Sequence, residues 1–237
     1  MKPWHPLAHR TMQEEEMDAT DLPDAHYARV LGHLSRINRL TLAARPTLAF
    51  VRALLNQRSA DAAPLKILDV GFGHGDMLRA IARLAQRMGH TVELIGVDLN
   101  PRSEMCARAA TADDMPIRWL TGDYRDLAGQ GWDVVISSLV AHHMSSEQRH
   151  DFLHFMENET VAGWLVNDLH RKRLSFIGYP ALATLAMVDP IVRRDGQLSI
   201  ARSFSVAEWH CELAAANIQD AHIVRWFPWR LVVERIK

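Results

Sequence analysis

Three acids and three glycines are spaced so that together they could hold one polar ligand. In the stretch KILDVGFGHGDML, Lys66 to Leu78, Asp69 precedes Gly71, Gly73 and Gly75. Glycine permits positive φ and lets a ligand approach the backbone without a Cβ in the way. A helix opening after such a turn offers free N–H groups to an anion. Asp98 in VDLN and Asp123 in TGDY end two further apolar runs, where a carboxylate can accept from hydroxyl or amino groups. A second set of residues could move protons: His142 and His143 in SLVAHHMSS, and Asp168 and His170 in VNDLHRKR. Histidine titrates near neutrality and suits a general base.

The spacing separates the ligands that glycine turns serve. A Walker phosphate loop ends in Gly-Lys-Ser/Thr, whereas Gly75-Asp76-Met77 stands here. A dinucleotide fingerprint reads G-x-G-x-x-G; this turn reads G-x-G-x-G after Asp69. A carboxylate in that place repels a pyrophosphate but accepts from an ammonium, directly or through water. Asp98 follows Gly75 by 23 residues, where an acid can accept both hydroxyls of a ribose. Nicotinamide dinucleotides carry such a ribose too, so Asp98 alone does not decide. Asp123 is placed to accept from an adenine amino group. Acids at three successive strand ends fit S-adenosylmethionine (SAM). Each aspartate also has a purely structural reading, as a helix cap or a turn brace.

Such residues need a scaffold that gathers strand ends. The runs KILDV, TVELIGVDL, IRWLTGD, DVVISSLV and GWLVND alternate with helical patterns over Asp76–Met88, from Pro101, and in SSEQRHDFLHFMEN. That rhythm predicts a parallel sheet with helices on both faces. SVAEWHCELAAAN reads as a helix capped by Ser205 with Glu208 in the capping-box position. The closing QDAHIVRWFPWRLVVERIK reads as two β-rich runs joined by FPW, hence an antiparallel hairpin. The expected fold is α/β: a Rossmann-like, seven-stranded sheet of five parallel strands plus a C-terminal antiparallel hairpin.

Ahead of this core of residues 64–237 stand two further segments. Residues 1–22 read as a polar, partly disordered arm, and 23–63 as a helical cap whose first helix presents Tyr27, Val30, Leu31, Leu34 and Ile37 on one face. A second helix is expected from near Pro46, and Ser59–Pro64 reads as a linker. Residues 171–204 form an inserted cap segment, interrupted at Gly178 and Pro180 and turning at Asp195-Gly196. Its apolar residues could roof a pocket, pack the core or face a second copy.

Composition bounds the classes. The chain has 237 residues, 48% hydrophobic and 23% charged, with a formal net charge of −1. Nothing in that balance suggests a nucleic-acid surface. Cys106 and Cys211 are far apart and are expected to be reduced thiols, and no metal is expected. The N-terminus has no apolar signal core, and no run reaches the ~18 apolar residues of a membrane span, so a cytoplasmic protein without stable membrane insertion is expected. No feature of the sequence sets an oligomeric state.

LDVGFGHG, GVDLN, TGDYRDL and DVVISSLVAHH resemble the successive motifs of class I SAM-dependent methyltransferases. The resemblance implies that Asp69, Gly71, Gly73 and Gly75 hold the methionine end of SAM. It places Asp98 on the ribose, Leu99 against the adenine, Asp123 on its amino group and Ser138 under the transferring methyl. Phe72 and Tyr124 count with these cofactor-binding residues. The quinone-biosynthesis methyltransferases carry a similar histidine pair, which implies that His142 or His143 is a base or shapes the acceptor pocket. A plainer reading has one capping the helix near Ser145 while the other faces water. Asp168 and His170 either orient or deprotonate an acceptor hydroxyl, or form a structural hydrogen bond. His74 is expected on the cofactor side.

The acceptor is narrowed by what is missing. There is no Asn/Asp-Pro-Pro-Tyr/Phe after the fourth strand, as nucleic-acid enzymes carry, and no glutamate pair as in protein arginine methylation. LSRINRL resembles small bacterial methyltransferases found near type III polyketide synthases, which implies secondary metabolism. The expected activity is methylation of a hydrophobic small molecule, at the oxygen of a phenolic or polyketide-derived acceptor. C-methylation of an activated aromatic ring or quinone precursor is the alternative. An NAD(P)-dependent oxidoreductase and a catalytically silent SAM-binding partner are the alternatives of other classes.

Overall fold

In the computed structural model, residues 7–19, 21–59 and 61–237 are described. The first six residues of the expected arm, Thr20, and Ala60 of the expected linker lie outside them. Two helices come first, α1 (Asp24–Leu40) and α2 (Arg45–Asn56). The core then runs β1 (Leu65–Val70), α3 (Asp76–Met88), β2 (Val92–Asp98), α4 (Pro101–Ala109), β3 (Ile117–Thr121), β4 (Trp132–Ser138), α5 (Ser146–Glu159) and β5 (Thr160–Leu169). The insertion forms α6 (Arg173–Leu185) and α7 (Pro190–Arg202), followed by α8 (Val206–Ala215), β6 (His222–Trp226) and β7 (Arg230–Ile236).

The seven strands stand in the order β3-β2-β1-β4-β5-β7-β6. β1 to β5 are parallel, while β7 runs antiparallel to both β5 and β6. This is the expected sheet. Its inner strands are covered on both faces, which is why KILDV reads as a continuous apolar run rather than an alternating one. On one face Phe50, Val51 and Leu55 of α2 and Leu78, Ile81 and Leu84 of α3 pack with Ile67 and Ile136. On the other, Phe152 and Met156 of α5 and Trp209 and Leu213 of α8 pack with Leu68 and Val135. Each large side chain so buried contributes about 1.5–3 kcal/mol.

The chain reverses direction of sheet growth at β1, with β2 on one side and β4 on the other. Crevices beyond the strand ends at such a switch point are where α/β sheets bind ligands. The expected capping box forms, Ser205 with Glu208 on α8, and a second one, Ser145 with Gln148, opens α5. Ser145 itself therefore caps α5, and neither His142 nor His143 does.

The cap departs from its sequence reading in two places. α6 runs unbroken through Gly178 and Pro180, and Asp195-Gly196 lies inside α7 instead of forming a turn. Gly196 is there for packing. A Cβ on it would collide with the Tyr179 ring, so its absence lets α6 cross α7 closely. Asp195 accepts the backbone N–H groups of Glu16 and Met17 at 3.0 and 2.9 Å. The described part of the arm is accordingly laid along α7, tied also by Thr11 N–H to the Ala201 carbonyl at 3.2 Å. α1, α6 and α7 share a separate apolar cluster around Val30, Ile37, Tyr179 and Ile200. Both cysteines are free thiols, and among the described residues no helix is long and apolar enough to cross a membrane.

Candidate active site

One cavity of about 760 Å³ lies beyond the carboxyl ends of β1, β2 and β4, under the cap. It is lined at one end by the glycine turn and Asp98, and at the other by Glu15, His142 and His143. The volume lies in the upper part of the ~300–1,000 Å³ range of ligand pockets, which leaves room beside one ligand for a second.

The glycines divide the work of the turn. Gly71 and Gly75 both have φ of +76°, and a Cβ would meet Val140 at the first and Trp119 at the second. These two glycines bring the turn close to its own protein. Gly71 and Gly73 both line the cavity, and the Gly73 N–H donates to Asp98 Oδ2 at 3.0 Å. Phe72 is buried against Trp119, with ring centroids 4.7 Å apart. His74 lines the cavity with Nδ1 3.1 Å from Arg79, and burial beside that guanidinium lowers its pKa.

Asp69 is 1% exposed, and neither carboxylate oxygen has a hydrogen-bond partner among the described residues. Burial, then the neighbouring Asp76 and Asp98, push its pKa up to about 8. An orphaned buried acid on a cavity wall is a place for a cation or a donor. Asp98, at the end of β2, accepts from Gly73 and from the Asn100 amide at 2.9 Å. Leu99 is 76% exposed on the cavity lip, an apolar face without a neighbour. Asp123 caps the turn that follows β3 by accepting from the Arg125 amide at 2.9 Å, and the Arg125 guanidinium holds its pKa low. Tyr124 stands edge-on to Phe152 and Phe155, 4.9 Å from each, and its hydroxyl is pushed up to about 12 by burial. Ser138 Oγ, at the end of β4, is buried on the cavity wall without a partner among the described residues.

The opposite end carries the charges. His142 is wholly buried, with Nδ1 2.7 Å from Asp168 Oδ1 and its own backbone N–H donating to Asp168 Oδ2 at 3.0 Å. Burial alone would lower this imidazole; Asp168 and Glu15 outweigh it and hold the pKa up at about 9. His143 stacks on His142 with ring centroids 4.2 Å apart and is 31% exposed at the side chain. Asp168 reaches the site only through His142. Asn167 braces α2 through the Ala43 carbonyl and Thr47, at 2.8 and 3.0 Å.

Two expectations change here. His170 does not line the cavity: the chain leaves the sheet at Leu169, and His170 bridges to Phe204 while its N–H donates to the Trp229 carbonyl at 2.9 Å. Burial and the nearby Lys172, Arg225 and Arg171 depress its pKa to about 4. Glu15, in the arm read as loosely ordered, is buried in the cavity wall and accepts from Ser199 Oγ at 2.7 Å. A glutamate in EEEMD carries no local signal; only the folded arm brings it to the histidines.

Residues 67–158 match the family model described as a methyltransferase domain. The chain carries a methyltransferase domain. No curated protein matches the chain. Among solved structures, the plantazolicin methyltransferase BpumL in complex with SAH shares 15% identity at a TM-score of 0.63, over 89% of this chain and 95% of that one. Magnesium protoporphyrin IX methyltransferase from Synechocystis PCC 6803, with bound SAH, shares 15% identity at 0.53, over 92% and 89%. The CMeT domain of the citrinin polyketide synthase shares 13% at 0.59, over 81% of this chain and 51% of that one. At these identities the likeness is one of fold: the Rossmann-like fold of class I methyltransferases, with this domain's glycine turn at the switch point.

Proposed function

We propose that this methyltransferase acts on a hydrophobic small molecule and methylates it at a phenolic oxygen. SAM is the cofactor. The observation that carries the reading is a single cavity with two unlike ends. One end offers an orphaned acid, an open glycine and an exposed Leu99. The rest of the cavity lining includes the histidine pair and the apolar side chains of Leu34, Val192 and Ile200.

Asp69 would face the ammonium of the cofactor, Gly73 its carboxylate, and Asp98 its ribose. Leu99 and Asp123 would bound the adenine, and Ser138 would lie near the reacting carbon. SAM supplies a methyl already activated on a sulfonium, so its thioether leaves without a proton. What the chain must provide is alignment, with the acceptor oxygen held ~3–3.5 Å from that methyl. A phenol, whose pKa is about 10, also gains from losing its proton. His143 is half-exposed on the cavity and is the residue placed to receive it. His142, fixed by Asp168, backs the ring of His143.

The test is turnover with SAM and a panel of simple phenols and hydroxylated aromatics, following SAH release and product NMR. One methoxy group formed per SAH supports the reading. A ring-carbon methyl would move the reaction to C-methylation. SAM binding without turnover of any apolar acceptor would sink the small-molecule reading.

A further inference from the structure

We propose that Glu15, His142 and His143 form a binding site for a divalent transition-metal ion. His142 Nε2 lies 3.5 Å and His143 Nε2 3.7 Å from the same oxygen, Glu15 Oε1. Ligand atoms ~2.0–2.2 Å from zinc at tetrahedral corners stand about 3.3–3.6 Å apart. The two distances to Glu15 therefore match neighbours around one ion, and all three ligand atoms lie within 4.8 Å of one another. They stand beyond the ~2.7–3.2 Å of ordinary hydrogen bonds and otherwise form only a loose ion-pair cluster. Among the described residues no other group of three His, Cys, Asp or Glu side chains offers ligand atoms within 4.8 Å of one another.

The orientation of the rings points the same way. His142 Nδ1 faces Asp168 at 2.7 Å, and His143 Nδ1 faces Asp18 at 3.4 Å. A histidine that ligates a metal characteristically gives its other ring N–H to a carboxylate, which leaves the free nitrogen aimed at the ion. His142 is arranged so, while His143 has the half-exposed Asp18 beside its Nδ1 at 3.4 Å, beyond hydrogen-bond distance. His142 Nε2 is buried without a hydrogen-bond partner among the described residues, a position that costs about 1–3 kcal/mol if nothing meets it. Ser199 fixes Glu15 from behind at 2.7 Å.

Two imidazoles and one carboxylate suit zinc, iron, nickel or copper, whereas magnesium and calcium prefer oxygen alone. Three protein ligands leave a position open, as in catalytic zinc sites. If the acceptor is a phenol, an oxygen held on that position would be ionised by the metal, and His143, occupied as a ligand, would act as base only in the metal-free protein. No spacing in the sequence hints at this site, because Glu15 stands 127 residues before His142.

The test uses the full chain, stripped with chelator, and titrates it with zinc chloride by calorimetry and cobalt chloride by visible absorption, without SAM or acceptor. One saturable equivalent is expected, with cobalt bands of four-coordinate geometry. Glu15→Ala and His143→Ala should each weaken binding at least ~100-fold, and Asp168→Asn, behind His142, about 10–100-fold. His210→Ala, at a histidine on α8 outside the cavity, should change nothing. Circular dichroism checks folding; if Glu15→Ala does not fold, the half-exposed His143→Ala decides. No saturable binding, or binding unchanged in His143→Ala, overturns the site. Because neither SAM nor acceptor is present, that result would leave the methyl-transfer reading standing, and failed turnover would leave the metal site standing.

Discussion

Asp69 and Asp98 stand within the last two positions of neighbouring parallel strands, yet Asp98 is held by two backbone amides while Asp69 meets no donor among the described residues. The difference sets their roles. Asp98 is pre-oriented for a hydroxyl pair, whereas Asp69, pushed up to about 8 by burial and its acidic neighbours, keeps its proton at neutral pH until a cation arrives.

The sign of the resulting pH dependence follows. An unfolded aspartate ionises near its ordinary value of about 4. Between there and about 8 the unfolded chain has lost a proton that the folded chain keeps, so stability falls as pH rises through that window. SAM, with its ammonium and sulfonium, favours the ionised form, so its apparent affinity should rise toward pH 8 and level above. Asp69→Asn should remove the first slope and weaken SAM binding. Urea melts and calorimetry at several pH values measure both; an unchanged stability slope in the variant would rule Asp69 out as its source.

Asp98→Ala should weaken SAM and SAH binding about 10–100-fold, the loss of hydrogen bonds to a charged acceptor worth ~1.5–3 kcal/mol. It also frees the Gly73 amide, which loosens the turn. Binding by calorimetry should therefore fall far more than the melting temperature does. Equal affinity in variant and parent would place the ribose elsewhere.

The sheet was legible because its signals are local. KILDV, the glycine turn and the capping box at Ser205 each declare themselves within a few residues, and the strand ends bring Asp69, Asp98 and Ser138 to one cavity. The acceptor side was less legible, because its parts meet through tertiary packing. Glu15 reaches the histidines only because Asp195 caps the arm, and Asp-Gly at 195–196, a turn signal in isolation, sits in a helix whose crossing needs a glycine. His170 follows Asp168 by two residues and should share its side of the strand, but the strand ends between them.

His143→Ala should lower kcat about 10²–10⁴-fold, the usual contribution of a positioned base, with SAM affinity unchanged. Asp168→Ala should act differently. It leaves a buried His142 without its partner and should destabilise the fold by about 3–5 kcal/mol. Melting temperatures of the two variants, read beside their kcat values, separate a residue at the acceptor from one that works through its neighbour. A His143→Ala enzyme with full turnover would remove the histidine from the proton path.

Gly196→Ala tests the cap against helix propensity. In an exposed helix this change stabilises by about 1 kcal/mol, because alanine restricts the unfolded backbone and glycine does not. Here the new methyl would strike the Tyr179 ring, which is buried and donates its hydroxyl to the Val192 carbonyl at 2.9 Å. Overpacking of that kind costs about 1–3 kcal/mol, so the collision should outweigh the gain in propensity. The variant is therefore expected to melt at a lower temperature than the parent. Because α7 carries Asp195 and Ser199, which hold the arm and Glu15, its displacement should also raise the KM for acceptor while SAM binding stays as it was. Adding Tyr179→Leu should recover much of the lost stability by clearing the collision. A Gly196→Ala protein more stable than its parent would mean that propensity outweighs the crossing, and that α6 and α7 have room to part.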